Sequence, residues 1–570
     1  MTSDGLHAVG VYKAAAPQDT IDRIRRLLLQ AGIFVIERHW NIVRGHWASV
    51  SLEIPGTGFS VNGKGIDPQF ALASGYGELM ERLQFLNGLH LHYPDQRPAQ
   101  PGENAPTLPF YHLNSRQVRH LSGPALRQSA LTNGTCSGNT PHEALVHGLC
   151  EIIERHALRK IFADRPCLPS VPLDDIGYLP QSATLRYLQQ NGFTVIVKDC
   201  SFNGTWPVVG IILRKGDGGL FHLGASPSFP LALERCFTEI FQGFTLESLS
   251  SGLPPIAALA TAPVEAPTAA ALRFVRSAKN IERTVEPCLL EPGGAYNVQY
   301  VHHSAPDMVS PAAATALFQR VMDAGHQVYL RDISFLGFPT FTIYIPGMST
   351  LQDAVYHQHA QTTDQARLAA IYLGIDRATA GDLRFLAQGI DNWLQSPVKY
   401  AWAPFQQSLL GLEHGNELPW NTLDSTLVAA LLFDEAGEPQ AAAAVLTRAL
   451  AARLASAEVH STEAAVLEAQ IRFKGYLEQR CSGTEEQSAR ASSFAGYRDP
   501  FLLGARLEGR IPLSIFLRVP QACYHCDDCE LAPRCKLPGR TRLEQQIQAS
   551  LQAHVFDQTR LEKLFGHCNQ

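Results

Sequence analysis

The sequence predicts an α/β domain built from three related strand/helix modules, followed by an all-α, tetratricopeptide-like domain. Three observations lead there. A motif recurs at an offset of 73 residues, with a looser third copy further on. Strand-like and helix-like segments alternate as far as Pro346-Gly347. Beyond about Thr362 only helical periodicity remains, in Ala- and Leu-rich stretches joined by short connectors.

Asp19 to Gln30 reads as a helix, because Ile21, Ile24, Leu27 and Leu28 recur at helical spacing. Ile33 to Ile36 and Ala48 to Ile54 read as strands, and Gly56-Thr57-Gly58 as a turn. Asn62-Gly63-Lys64-Gly65 reads as a short Gly-rich loop leading into a helix over Pro68 to Phe85. After a Pro-rich connector from Tyr93 to Pro109, a second loop, Asn133 to Asn139, leads into a helix over Pro141 to Phe162. Phe193 to Lys198, Val208 to Leu213 and Leu220 to Leu223 are strand-like, and Pro230 to Leu246 is a third helix. Val328 to Leu330 and Thr340 to Ile345 are the late strands of the same domain. Five helices follow, over Asp364 to Leu373, Ala378 to Trp393, Ser425 to Phe433, Pro439 to Ala455 and Thr462 to Gln479. An irregular helical bundle fits these as well as a tetratricopeptide array does. The expected division is a domain over 1–361, a helical domain over 362–515 and a Cys-rich tail over 516–570.

Composition narrows the class. The 570 residues are 45% apolar and 18% charged, an ordinary globular balance that can bury large cores. The net charge of −6 gives no global attraction for nucleic acid, and no direct nucleic-acid partner is expected. No run of eighteen apolar residues spans a membrane, and Met1 to Lys13 lacks the pattern of a signal peptide. Eight of the twelve cysteines are scattered through the chain, as a reducing cytoplasm permits. We expect a cytoplasmic homodimer.

The repeat carries the chemistry. Its first copy is Gly65, Ala71-Leu72, Glu78, Glu81 and Arg82; its second is Gly138, Ala144-Leu145, Glu151, Glu154 and Arg155. The third is Gly224, Ala232-Leu233, Glu239 and Gln242. Residues three apart share a helix face, and seven residues make nearly two turns, so the carboxylates of each copy share a stripe. One Glu-x-x-Glu-Arg would be a solvated helix face; copies in register behind Gly-rich segments are a site. Carboxylates gathered in one cavity repel each other and need cations, and hard oxygen donors suit Mg²⁺ shared with phosphates. Arg82, Arg155 and Arg235 offer planar forks for phosphate, and Lys64 a point charge. Because Lys64 is followed by Gly65, the Walker pattern fails.

These residues resemble the YcaO family of ATP-dependent enzymes. The resemblance runs through Asn62-Gly63-Lys64-Gly65 to Glu78-x-x-Glu81-Arg82, through Asn133-Gly134 to Glu151-x-x-Glu154-Arg155, and through Ala232-Leu233-Glu234-Arg235 to Glu239. It covers about Val11 to Met348. It implies that Mg²⁺-ATP activates a backbone amide oxygen by phosphorylation, after which a nucleophile attacks the carbonyl carbon to give an azoline, a thioamide or an amidine. It implies Mg²⁺ on Glu78, Glu81, Glu151 and Glu154, phosphates on Arg155 and Arg235 with Glu239 beside them, and nucleotide contacts from Lys13, Thr20 and Asn139. The helical tail and Ile345-Pro346-Gly347-Met348-Ser349 look most like the stand-alone bacterial branch, linked to methylthiolation of an Asp on a small-subunit ribosomal protein. Missing are the Pro-rich ending of many cyclodehydratases and a fused peptide-binding region. A peptide or protein substrate would therefore be presented by a partner, a sulfur-transfer protein being another candidate, or the chain would act as a non-catalytic accessory scaffold.

The last feature is Cys523-x2-Cys526-x2-Cys529-x5-Cys535. Three thiols at two-residue intervals resemble the ferredoxin run, which suggests [4Fe–4S]; tetrahedral Zn²⁺ is the rival. Among the histidines, His39, His46, His147, His156, His302 and His303 read as solvated or satisfied core residues.

Overall fold

The computed structural model describes residues 13–92, 107–122, 133–242, 244–251, 287–304, 309–349, 363–395, 424–454, 461–482, 511–517 and 537–565, with a few isolated positions between them. These fall into two compact units. The first holds the described residues up to 349 together with 539–565, and the second lies within 354–538.

Each module of the first unit begins as a strand at the end of a sheet. β1 (Ile36–Val43), β2 (Trp47–Ile54) and β3 (Phe59–Gly65) form an antiparallel sheet in that order, and β3 runs into helix α2 (Pro68–His92). Helix α1 (Pro17–Gln30) packs on α2, with Ile21, Ile24 and Leu28 buried in the same core as Val50, Leu52 and Leu79. β4 (Thr107–His112), β5 (Gln117–Ser122) and β6 (Thr135–Ser137) belong to a second sheet, and β6 runs into α3 (Pro141–Asp164). β7 (Ser170–Val171), helix α4 (Ser182–Gln190), β8 (Thr194–Asp199), β9 (Val208–Lys215) and β10 (Gly218–Ala225) follow, and β10 runs into α5 (Phe229–Ile240). Helix α6 (Pro311–Asp323) packs on α3 and leads to β11 (Tyr329–Asp332) and β12 (Thr340–Tyr344). The sheet orders are β10-β9-β8-β7 and β5-β4-β11-β12-β6. Thus β3, β6 and β10 are all terminal strands.

The segments read as Gly-rich loops are therefore strands. Asn62 to Gly65 is the end of β3, and Thr135 to Ser137 lies within the second expected loop. The glycines are there for space rather than for turning, since Gly63, Gly65, Gly138 and Gly224 have no positive φ. A Cβ on Gly65 would stand 2.6 Å from the Ala71 nitrogen, one on Gly138 2.6 Å from the Ala144 nitrogen, and one on Gly224 2.1 Å from the Ala232 carbonyl oxygen. Strand and helix backbones touch at the matched Gly and Ala of every copy. That is why the repeat keeps a small residue at both positions. β1 and β5 escaped the sequence reading because neither alternates cleanly: β1 carries a register shift between Arg38 and Asn41, and most of its residues are exposed.

The modules close on one another in a ring. α2 packs on its own β3 and on β6 of the second module; α3 packs on β6 and on β10; α5 packs on β10 and back on β3. Ser137 donates to the Gly77 carbonyl at 2.8 Å, the Ala225 N–H to Glu154 at 3.2 Å, and the Gln242 amide to the Asn62 carbonyl at 2.6 Å. Trp47 of β2 stacks on Phe241 at the end of α5, with centroids 3.7 Å apart.

In the second unit, α7 (Thr363–Leu373), α8 (Ala380–Gln395), α9 (Ser425–Glu435), α10 (Pro439–Leu454) and α11 (Ser461–Ser482) pack in chain order. α9 is buried all round, and its Asp434 accepts from Arg480 at 2.6 Å. Helices α12 (Leu537–Ala553) and α13 (Gln558–Phe565) return to the first unit. Leu543, Ile547 and Leu551 enter the core beneath α1, Leu561 and Phe565 enter the core beside α6, and Arg560 pairs with buried Asp332 at 2.9 Å. The sequence reading grouped these residues with the Cys-rich tail. The cysteine run itself, Cys523 to Cys535, lies outside the described residues.

Two Gly→Ala substitutions should have opposite signs in thermal unfolding. Gly224→Ala is expected to destabilise by about 2 kcal/mol or more through overpacking. Gly475→Ala, in α11 with nothing within 4 Å of the added Cβ, should stabilise by up to about 1 kcal/mol.

Candidate functional site

The ring brings one end of each module's helix to a common centre. Lys64, at the end of β3, pairs with Glu239 of α5 and reaches the Gln242 side chain at 3.4 Å. Burial alone would lower its ammonium, but the charges of Glu239, Glu78 and Glu154 outweigh burial and hold it above its ordinary value. One lysine thus feels a carboxylate from each of the three helices.

The two full copies are alike in detail. Glu78 accepts from Arg82 at 3.3 Å and Glu151 from Arg155 at 2.9 Å, both one turn apart on their own helices. Burial drives the Glu81 carboxyl well above its ordinary value, with Glu151 and Glu78 adding repulsion against the attraction of Arg82. Burial, then the Glu239 charge, raise Glu154 to about 7. Cys136 of β6 is driven well up by burial and then by Glu81 and Glu151, which places that thiol beside them. Arg235 donates to the Ala225 carbonyl at 2.8 Å.

The N-terminal residues join the same region. The Lys13 ammonium lies 3.5 Å from Glu143, and the Ala14 N–H donates to Glu143 at 3.0 Å. The Thr20 hydroxyl donates to the Asn139 side-chain oxygen at 3.0 Å, and Arg23 to the Asn139 carbonyl at 2.9 Å. A surface cavity of about 890 Å³ lies against this junction, lined by Ala14, Ala15, Arg23, Arg25, Asn139 and Thr140 among others. It does not reach the carboxylates; the centre is defined instead by the charges that meet there.

Sequence reasoning missed Glu143, although it lies eight residues before Glu151 and so on the same stripe. It passed over Glu234, half-buried beside Gln181, whose carboxyl burial lifts to about 7. His156, His302 and His303 lie elsewhere: His156 packs edge-on against Trp206 and His326, and His302 meets the Tyr178 and Tyr296 hydroxyls at 3.2 and 3.1 Å.

The donor set fits Mg²⁺ in kind. The oxygens are hard, and the upward push on Glu81 and Glu154 is one that a bound cation would relieve. Among the described residues no three His, Cys, Asp or Glu side chains converge on one point as ligands, Glu78 and Glu151 being turned toward their arginines.

Residues 96–349 match the family model described as YcaO cyclodehydratase, ATP- and Mg²⁺-binding. Over these residues, less than half of its length, the chain is similar to the YcaO family. It is 26% identical over 483 residues to the ribosomal protein S12 methylthiotransferase accessory factor YcaO of Escherichia coli, covering 75% of this chain and 80% of that one. An uncharacterized protein of Haemophilus influenzae is 29% identical over 298 residues, 43% of this chain and 51% of that one. Among solved structures, YcaO from Methanopyrus kandleri bound with AMPPCP and Mg²⁺ is similar at 19% identity and a TM-score of 0.40, over 60% of this chain and 94% of that one. The family-model match begins after the first copy of the repeat, so β3 and the part of α2 that carries Lys64, Glu78 and Glu81 lie before it.

Glu234 offers a pH test. Its folded value of about 7 lies above the ordinary 4.5, so the stability tied to it is fully present below the ordinary value and is lost as pH rises through 7. Glu234→Gln should therefore raise the melting temperature of the ligand-free protein at pH 8 and change it little at pH 4.5. A lower melting temperature at pH 8 contradicts the assignment.

Proposed function

We propose that the chain binds Mg²⁺-ATP where its three modules meet and uses it to phosphorylate a backbone amide oxygen of a peptide or protein. The observation that carries this reading is the ring itself, which sets carboxylates from α2, α3 and α5 around Lys64 in a chain whose residues 96–349 match an ATP- and Mg²⁺-binding family. Glu78, Glu81, Glu151 and Glu154 hold the metal, with Glu239 beside them. Lys13, Thr20, Lys64, Arg82, Asn139, Arg155 and Arg235 hold the nucleotide. Bound Mg²⁺ supplies Lewis-acid neutralisation of phosphate oxygens. Phosphoryl transfer asks mainly for alignment and charge neutralisation, which fixed arginines on packed helices and a lysine at a strand end provide without reorganising. The γ-phosphorus forms a bond to the amide oxygen as its bond to the β-phosphate oxygen breaks. A nucleophile then adds to the activated carbon, and phosphate departs.

Four further readings accompany it. The helical unit, read as tetratricopeptide-like, seats a peptide-presenting or sulfur-transfer partner. The chain acts as a homodimer. The buried free thiols Cys136, Cys150, Cys200 and Cys236 support a cytoplasmic setting, and among the described residues no helix is long and apolar enough to cross a membrane. Cys523, Cys526, Cys529 and Cys535 hold [4Fe–4S] or Zn²⁺: an anaerobic preparation should be brown and contain iron, or colourless and contain zinc, and one with neither metal ends this reading. A second functional reading, in which the chain is an accessory scaffold, is favoured by the name of the E. coli relative, an accessory factor.

The purified protein should hydrolyse ATP, faster with a peptide substrate. Glu78→Ala and Glu151→Ala should each weaken Mg²⁺-ATP binding at least tenfold by calorimetry. If both bind as the wild type does, the site assignment fails; if binding is intact but no candidate peptide is phosphorylated, the scaffold reading prevails.

A further inference from the structure

Two side chains of α1, three residues apart and so on one face, take hold of Asn139 just before α3. The Thr20 hydroxyl donates to the Asn139 side-chain oxygen at 3.0 Å, but it also lies 3.1 Å from the Ala16 carbonyl, and its one hydrogen serves one of the two. Arg23 has no such choice. Half-buried, it donates to the Asn139 carbonyl at 2.9 Å and reaches the Gly337 carbonyl, in the β11–β12 connection, at 3.4 Å. The same guanidinium lies over the Phe338 ring, 5.1 Å from its centroid.

Asn139 is held on both sides along the chain as well. The Gly138 N–H donates to the Pro339 carbonyl at 3.1 Å, and the Thr140 hydroxyl caps α3 by accepting from the Glu143 N–H at 3.2 Å. The Asn139 amide lies 3.4 Å from both Glu143 carboxylate oxygens. Of these holds on Asn139, the one from Arg23 has a charged donor and ties together α1, the approach to α3 and the β11–β12 connection. Charged donors make the stronger bonds, and a planar fork serves two acceptors in fixed directions. Arg23 and Asn139 also line the same cavity of about 890 Å³.

We propose that Arg23 is a positioning residue for the nucleotide: it fixes the Asn139 backbone, and so the orientation in which the Asn139 side chain meets the ligand. The inference rests on the nucleotide reading given above, which places Asn139 among the nucleotide's contacts, and adds a residue that acts through Asn139. Without Arg23 the Asn139 carbonyl loses its partner and the residue is free to turn. The Thr20 hydroxyl, with Ala16 as its alternative acceptor, does not hold it alone. Ordering Asn139 in advance spares the ligand that ordering on binding.

The test is calorimetric titration of the full chain with Mg²⁺-AMP-PNP, in a double-mutant cycle of Arg23→Met with Asn139→Ala. Arg23→Met keeps the length of the side chain and its packing on Phe338 while removing every donor. It should bind about tenfold more weakly, the worth of one hydrogen bond from a charged group. Asn139→Ala should bind more weakly too, and in that background Arg23→Met should cost less than about twofold, because no side chain remains to be oriented. A general loosening of the fold would cost the same in both backgrounds. Arg23→Lys keeps a charged donor but not the fork, so it should lose about threefold, again with no further loss beside Asn139→Ala. It carries the test if Arg23→Met folds poorly. Wild-type affinity in the Arg23 variants, or a loss that persists in full beside Asn139→Ala, overturns the inference while leaving nucleotide binding intact. So does an Asn139→Ala variant that binds as the wild type does. A wild type that binds no nucleotide overturns the broader reading, and this one with it.

Discussion

Everything at the centre depends on one steric constraint, the contact of strand and helix backbones at the matched Gly and Ala. Where the Gly65 Cα has no substituent, α2 lies directly on β3, and the same holds for α3 on β6 and α5 on β10. Close packing of this kind has no slack, because interiors transmit small displacements instead of absorbing them. Each helix is thus fixed relative to a terminal strand, and its far side meets the strand of the next module. Three such steps close the ring. The carboxylates inherit their positions from backbone contact, which is stiffer than any side-chain contact.

The ring explains why so many charges can be gathered with so little spare acidity. In the described structure Glu78, Glu151 and Glu239 each face a cation, and Glu154 accepts from a backbone N–H. Glu81 is the most deeply buried of the set, and burial drives its carboxyl well above its ordinary value. A site arranged this way is an electrostatic frame prepared before any ligand enters, and such preparation would lower the reorganisation that the proposed phosphoryl transfer needs.

Much of this was legible in the chain. The repeat at fixed offset pointed to three modules, because Gly, Ala and Glu recur where packing and charge both require them. Helix positions followed from apolar spacing, and α1, α2 and α3 lie close to where that spacing placed them. What was not legible has physical causes. β3 and β6 looked like loops because glycine in a strand serves close approach, which composition cannot distinguish from turning. β1 hid behind a register shift and an exposed face. Glu143 went unassigned because its partner Lys13 is distant in sequence and meets it only in the fold. The return of α12 and α13 to the first unit was hidden for the same reason: Arg560 finds Asp332 across more than two hundred intervening residues.

That return sets the order in which the molecule can be completed during synthesis. A ribosome releases the first unit's sheets, then the residues of the second unit, and only afterwards α12 and α13. At about 5–20 residues per second, the stretch 354–538 separates the two parts by on the order of ten to forty seconds. For that interval Asp332 lacks Arg560, and the core beside α6 lacks Leu561 and Phe565. The nascent chain therefore carries an exposed apolar patch that chaperones would be expected to recognise, and the helical unit has time to fold before the ring-bearing unit is sealed.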